Sequence, residues 1–219
     1  MKKFALVFAA AAITASAAFA ADAVYSQNAI GFINVEAKAN QIYALTFPFV
    51  DKASTNGMVP FKNTQLAQDA DTGSTVYFWA GTSWKGYNKG RTGFTTPYEL
   101  KPGELFFFKP AKDMTITING EVPDDPSMTV EIAPAANISA VANPYPVATV
   151  FKDSKLAEDA TVGASVYFWN GDAWKGYNKG RTGFTTPYEV QPGEGFFFKT
   201  VAKDTETIEW EVEKPYAFP

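Results

Sequence analysis

The chain of 219 residues contains no cysteine and no histidine. Without cysteine there are no disulfides and no thiol nucleophile. Without histidine there is no Ser-His-Asp triad, and together the two absences remove Cys/His metal sites. A strong excess of one charge is also missing. Nineteen Lys and Arg stand against 23 Asp and Glu, a formal net charge of −4, which argues against nucleic acid as a partner. What the chain has in quantity is aromatic: 5 Trp, 10 Tyr and 19 Phe. A fold without disulfide staples must be held by that apolar core.

Residues 1–20 have the pattern of a secretory signal peptide. Lys2 and Lys3 supply a positive start, Phe4 to Ala18 is an uncharged apolar run rich in Ala, and Ala18-Phe19-Ala20 is a small-x-small cleavage signature. The expectation is export to the periplasm, outer surface or extracellular space. Loss of the leader moves the charge balance from −4 to −6. No later segment is long and apolar enough to span a bilayer as a helix, so the mature chain is expected to carry no transmembrane segment. The apolar runs are also shorter than the roughly ten alternating residues of an outer-membrane barrel strand.

The dominant feature is an internal repeat at a spacing of 90 residues. Residues 61–109 and 151–199 share 35 identities in 49 positions, and Val76-Tyr77-Phe78-Trp79 returns as Val166-Tyr167-Phe168-Trp169. Upstream, Tyr43–Phe49 aligns with Ser139–Tyr145 at a spacing of 96, so the first copy holds six extra residues. Asp51–Val59 is the expected place, as a longer surface loop. The chain divides into a leader at 1–20, a first module at 21–122, a turn-prone linker at 123–127 and a second module at 128–219.

Each module is expected to be mainly β, as two homologous tandem β-sandwich-like units with at most one short helix each. Val76–Trp79 and Phe106–Phe108 are short runs of strand formers bounded by Gly and Pro. Thr207–Glu213 alternates Ile208, Trp210 and Val212 with Glu209, Glu211 and Glu213, a strand with one wet face. Lys101-Pro102-Gly103-Glu104 suits a type II turn. The helical candidates are Phe61–Ala67 and Phe151–Ala157.

Several of these segments carry a resemblance. Asn143-Pro144-Tyr145-Pro146, then Tyr167-x-Trp169-Asn170-Gly171, then Pro192-Gly193-Glu194-Gly195-Phe196-Phe197 resembles a β-rich module of large secreted and cell-surface proteins of Gram-negative bacteria. Ile30-Gly31-Phe32-Ile33-Asn34-Val35 is similar to the start of small stand-alone exported proteins with that module. The first copy departs, with Thr46-Phe47-Pro48-Phe49 where the second has the Asn-Pro-Tyr-Pro core. The resemblance implies an exported, non-catalytic accessory or surface module and brings no catalytic residue with it.

Identity between the copies is uneven. Residues 84–99 and 174–189 match at all 16 positions, against 19 of the remaining 33. Trp84, Tyr87, Phe94 and Tyr98 are interleaved there with Gly86, Gly90 and Gly93, and Lys85, Lys89 and Arg91 cluster within an otherwise acidic chain. Aromatic faces beside amide and cationic donors suit a sugar ring, and the cations favour an acidic or sulfated glycan, or lipid phosphate. The candidate binding residues are Trp84, Lys85, Tyr87, Asn88, Arg91 and Tyr98, with Trp174, Lys175, Tyr177, Asn178, Arg181 and Tyr188. The competing expectations are that these aromatics are core and these glycines turns, or that the repeated block makes contact with its own kind or with other envelope components. A carboxylate glycosidase would need Glu99 with Glu104, or Glu189 with Glu194. No cofactor is expected. Asp69, Asp71, Asp124 and Asp125 lack the alternating spacing of a calcium loop, so no metal site is expected either.

Overall fold

The computed structural model describes residues 29–54 and 56–217; the expected leader lies outside the described residues. The chain is mainly β and forms two halves of one topology. The first runs β1 (Ile30–Ala37), β2 (Tyr43–Thr46), β3 (Val59–Pro60), a 3-10 turn (Phe61–Asn63), α1 (Gln65–Asp69), β4 (Thr75–Trp79), β5 (Trp84–Asn88), β6 (Glu99–Leu100), β7 (Leu105–Lys109) and β8 (Met114–Glu121). The second runs β9 (Ser127–Ile132), β10 (Ile138–Ala142), β11 (Thr149–Val150), a 3-10 turn (Phe151–Asp153), α2 (Lys155–Asp159), β12 (Ser165–Trp169), β13 (Trp174–Asn178), β14 (Glu189–Val190), β15 (Gly195–Lys199) and β16 (Ile208–Glu213).

Each half has an open antiparallel sheet of four strands, β2-β7-β4-β5 or β10-β15-β12-β13. A two-stranded ribbon, β1-β8 or β9-β16, packs against it, and a short pair, β3-β6 or β11-β14, completes the half. Ile116 and Ile118 of the first ribbon share a core with Val76, Phe78, Phe106 and Phe108 of its sheet. Phe61 stands edge-on to Phe78 at 5.4 Å and to Phe94 at 5.1 Å, and Phe151 repeats this with Phe168 and Phe184 at the same two distances. Such edge-to-face pairs add about 1 kcal/mol each beyond their buried area.

The expected helix at 61–67 is split. Phe61 is turned into the core by the 3-10 turn, and Thr64 then caps α1 by accepting a hydrogen bond from the Ala67 amide at 3.1 Å. The extra residues of the first copy lie between β2 and β3, as expected, and the linker ends one residue early because Ser127 already belongs to β9.

The two ribbons fill the same space differently. Gly31 faces Gly120 across β1-β8, and Phe49 lies over them: a Cβ on Gly31 would stand 2.6 Å from the Phe49 ring. In the second half the same ribbon position holds Val130 opposite Trp210, and Trp210 reaches Phe196 at 6.1 Å. The first copy's departure at Phe47-Pro48-Phe49 is thus matched by two glycines.

The halves meet through the second face of each four-stranded sheet. On β4 and β7, Val76, Phe78, Phe106 and Phe108 point into the half's own core, so the alternation sends Trp79 and Phe107 to the opposite face. There Trp79, Trp84 and Phe107 pack against Trp169, Trp174 and Phe197, around Ala44, Leu105 and Ala140. Phe107 and Phe197 stand 6.3 Å apart, with Trp84 4.5 Å from Phe107 and Trp174 4.6 Å from Phe197. The contact is pseudo-two-fold: Thr46 N donates to Gly193 O and Ala142 N donates to Gly103 O, both at 2.9 Å. Leu105 and Gly195, equivalent in the repeat, break the symmetry by lying against each other. A Cβ on Gly195 would be 2.6 Å from Leu105 Cδ1.

Candidate functional site

The unchanged block is distributed over several places and does not form one platform. On β5 the period of two sends Trp84 and Asn88 to one face and Lys85 and Tyr87 to the other. Trp84 and Trp174 are half-buried in the six-ring contact between the halves. The Asn88 side-chain oxygen accepts a hydrogen bond from the Thr75 hydroxyl at 2.7 Å, and Asn178 accepts one from Ser165 at the same distance. These four residues are held by the fold.

The cationic cluster is also divided. Lys89 Nζ donates to the carbonyls of Ala67, Gln68 and Ala70 at 2.8, 2.7 and 2.5 Å, closing the C-terminal end of α1. Lys179 does the same for Ala157 and Glu158 at 2.8 and 2.6 Å. Arg91 lines a hollow of about 470 Å³ beside α1 with Lys62, Asn63 and Gln68. The equivalent residues beside Arg181 include Asp153, which pairs with Lys152 at 2.6 Å, and Glu158. The hollow's charge is therefore not duplicated.

Lys85, Tyr87 and Tyr98 do come together. With Pro97, Glu99 and Trp79 they line a slit of about 370 Å³ at the edge of the first four-stranded sheet. One wall is β5 and the other is the 97–99 segment. Tyr98 lies flat against Phe78 with ring centres 3.8 Å apart, and Tyr188 lies on Phe168 at 4.0 Å. The Tyr98 hydroxyl donates to the Glu104 carboxylate, and Tyr188 donates to Glu194. Burial, reinforced by the glutamate, raises both phenols far above their ordinary value. Burial likewise pushes the Glu104 and Glu194 carboxyls up, against the opposing pull of those hydroxyls. Lys85 and Glu99 are exposed at the mouth of the slit. In the second half Lys175 Nζ sits 5.5 Å above the Tyr177 ring.

The proposed carboxylate pairs are placed apart in character: Glu104 lies under its turn on Tyr98, while Glu99 is exposed. The acidic residues weighed for calcium have local partners. Asp69 accepts from Gln65 at 2.6 Å, Asp71 pairs with Lys112 at 2.8 Å, and Asp124 pairs with Lys214 at 2.7 Å. Among the described residues no group of three or more metal-binding side chains converges, and no helix is long and apolar enough to cross a membrane.

Sequence reasoning did not find Trp79, Trp169, Phe107 and Phe197 as partners of the block. The signal was the unbroken Phe106-Phe107-Phe108 run, which marks a strand covered on both faces. Searches against protein-family models, curated proteins and solved structures found no match to this chain.

Proposed function

We propose that this chain is an exported, non-enzymatic protein of the cell envelope or extracellular surface, with a structural or interaction role. The observation that supports this best is how the unchanged block is used. Trp84, Lys89, Phe94 and Tyr98 are engaged in packing or hydrogen bonds of the fold, and the exposed Asn88 side chain is bonded to Thr75. What the block presents outward is contact chemistry: Lys85, Arg91 and Glu99 are exposed beside a half-buried Tyr87. The glycosidase reading gains nothing, because Glu104 is taken up by the Tyr98 hydroxyl. The test is fractionation of producing cells with N-terminal sequencing of the product. A chain beginning at Ala21 outside the cytoplasm is expected; an uncleaved cytoplasmic chain overturns the export half of the proposal.

A second reading is carbohydrate binding, favoured by the slit. Tyr87 and Tyr98 offer apolar surface, Lys85 a donor and Glu99 an acceptor, and the same residue types recur at Lys175, Tyr177, Tyr188 and Glu189. A glycan panel read with wild type and with Lys85→Ala/Glu99→Ala/Lys175→Ala/Glu189→Ala tests it. No binding by wild type, or equal binding by the folded variant, removes the slit reading.

A further inference from the structure

The four-stranded sheets have two edges each, and the chain treats them differently. The β2 and β10 edges are covered by the opposite half, through Thr46 N to Gly193 O and Ala142 N to Gly103 O. Among the described residues the β5 and β13 edges have no strand beyond them. Which backbone groups point out from β5 follows from the bonds at its ends. Ala80 N donates to Ser83 O, and Lys89 N donates to Ser74 O, so 80/83 and 74/89 are hydrogen-bonded pairs of the β4-β5 hairpin. Antiparallel pairs alternate, which makes 78/85 and 76/87 bonded as well. The N–H and C=O groups of Trp84, Gly86 and Asn88 therefore face outward. Asn170 N to Ala173 O and Lys179 N to Ala164 O give the same pattern on β13, with Trp174, Gly176 and Asn178 outward.

We infer that these two edges are docking strands for a second copy of this chain, each adding antiparallel to an identical edge. This rests on the interaction role proposed above and is independent of export. The sequence of the edge selects the partner. In an antiparallel contact between two Trp84–Asn88 strands, one register uses every outward group: Trp84 opposite Asn88, Gly86 opposite Gly86, and Asn88 opposite Trp84. That register sets Lys85 opposite Tyr87 at both flanks, a cation beside an aromatic ring, which is the pairing Lys175 and Tyr177 already make within one strand. Slipping it by two residues in one direction loses a bonded pair and opposes Lys85 with Lys85, which is unfavourable. Slipping it the other way loses a bonded pair and both Lys-Tyr contacts. Gly86 brings no side chain to the centre of the contact, and the Tyr77 ring lies 3.0 Å from where its Cβ would be.

Valency follows from the repeat. One molecule carries the edge twice, in the identical sequence Trp-Lys-Gly-Tyr-Asn. A self-complementary edge present twice per molecule does not stop at a dimer; it extends into a row. Five residues with a lysine make a short edge, so each contact is weak and concentration-dependent.

Sedimentation of the purified protein from micromolar to millimolar concentration tests this, with Asn88→Pro, Asn178→Pro and the double variant alongside. Proline there removes an outward N–H and leaves the backbone bonds of the hairpin intact, at the loss of one side-chain bond, from Thr75 to Asn88 or from Ser165 to Asn178. Wild type should grow through a ladder of masses. Each single variant should stop at twice the monomer mass, and the double variant should stay monomeric. A wild type that is monomeric throughout, or a single variant that builds the same ladder, overturns the inference. If the proline variants fail to fold, hydrogen exchange on wild type decides. Slowing of the Trp84, Gly86 and Asn88 amides with concentration supports edge pairing, and concentration-independent exchange contradicts it.

Discussion

The contact of Leu105 with Gly195 can be put to a quantitative test. The two residues are equivalent in the repeat, yet one is fully buried and the other has no side chain. A Cβ added to Gly195 would sit 2.6 Å from Leu105 Cδ1, 2.9 Å from its Cβ and 3.2 Å from its Cγ. Gly195 is not among the residues at positive φ, so its backbone conformation admits a side chain and space is the obstacle. Gly195→Ala should therefore cost about 1–3 kcal/mol through overpacking. Leu105→Gly should cost about 3–6 kcal/mol, from the cavity and from a glycine within a strand. In the Leu105→Gly background the obstacle is gone, and Gly195→Ala should become neutral or stabilising by up to ~1 kcal/mol. The coupling in this double-mutant cycle should be at least ~1 kcal/mol. Urea unfolding of the four proteins supplies the numbers. A neutral Gly195→Ala in wild type, or an equal cost in both backgrounds, refutes the reasoning.

Three further outcomes follow from individual groups. Lys89→Met removes three charged hydrogen bonds from the end of α1 and should lower stability by about 2 kcal/mol, with Lys179→Met similar, as read by urea unfolding. Thr46 is 1% exposed and its hydroxyl has no hydrogen-bond partner among the described residues, so Thr46→Val should raise stability by about 1 kcal/mol; a loss would show that the hydroxyl is satisfied. Burial raises the Glu104 and Glu194 carboxyls, so the folded state holds these protons more tightly than the unfolded chain. Their contribution is fully present below the unfolded carboxyl pKa and is lost as pH rises through the raised folded value. The melting temperature should rise as pH falls from neutrality towards the ordinary carboxyl range, and Glu104→Gln/Glu194→Gln should flatten that slope; an unchanged slope contradicts it.

Much of the fold was legible because the repeat doubled every local signal. The alternation of Ile208, Trp210 and Val212 with glutamates located β16 and its inner face, and the Pro-Gly turn located Gly103 at φ +86°. The candidate site was less legible. A sequence shows that Trp84, Lys85 and Tyr87 are neighbours, but adjacent strand residues point to opposite faces. Lys89 looked like part of a basic patch because its partners, the end carbonyls of α1, lie about twenty residues upstream and have no side-chain signature. Likewise the pairing of Gly31 and Gly120 with Phe49 is a volume exchange across the fold, and composition carries no trace of it.

The six rings of Trp79, Trp84, Phe107, Trp169, Trp174 and Phe197 join the halves into one body. Scanning calorimetry of the whole protein tests this most directly. One transition, with the calorimetric and van't Hoff enthalpies equal, is expected for wild type, and Trp84→Ala/Trp174→Ala should resolve it into two. Two independent transitions in wild type would contradict it.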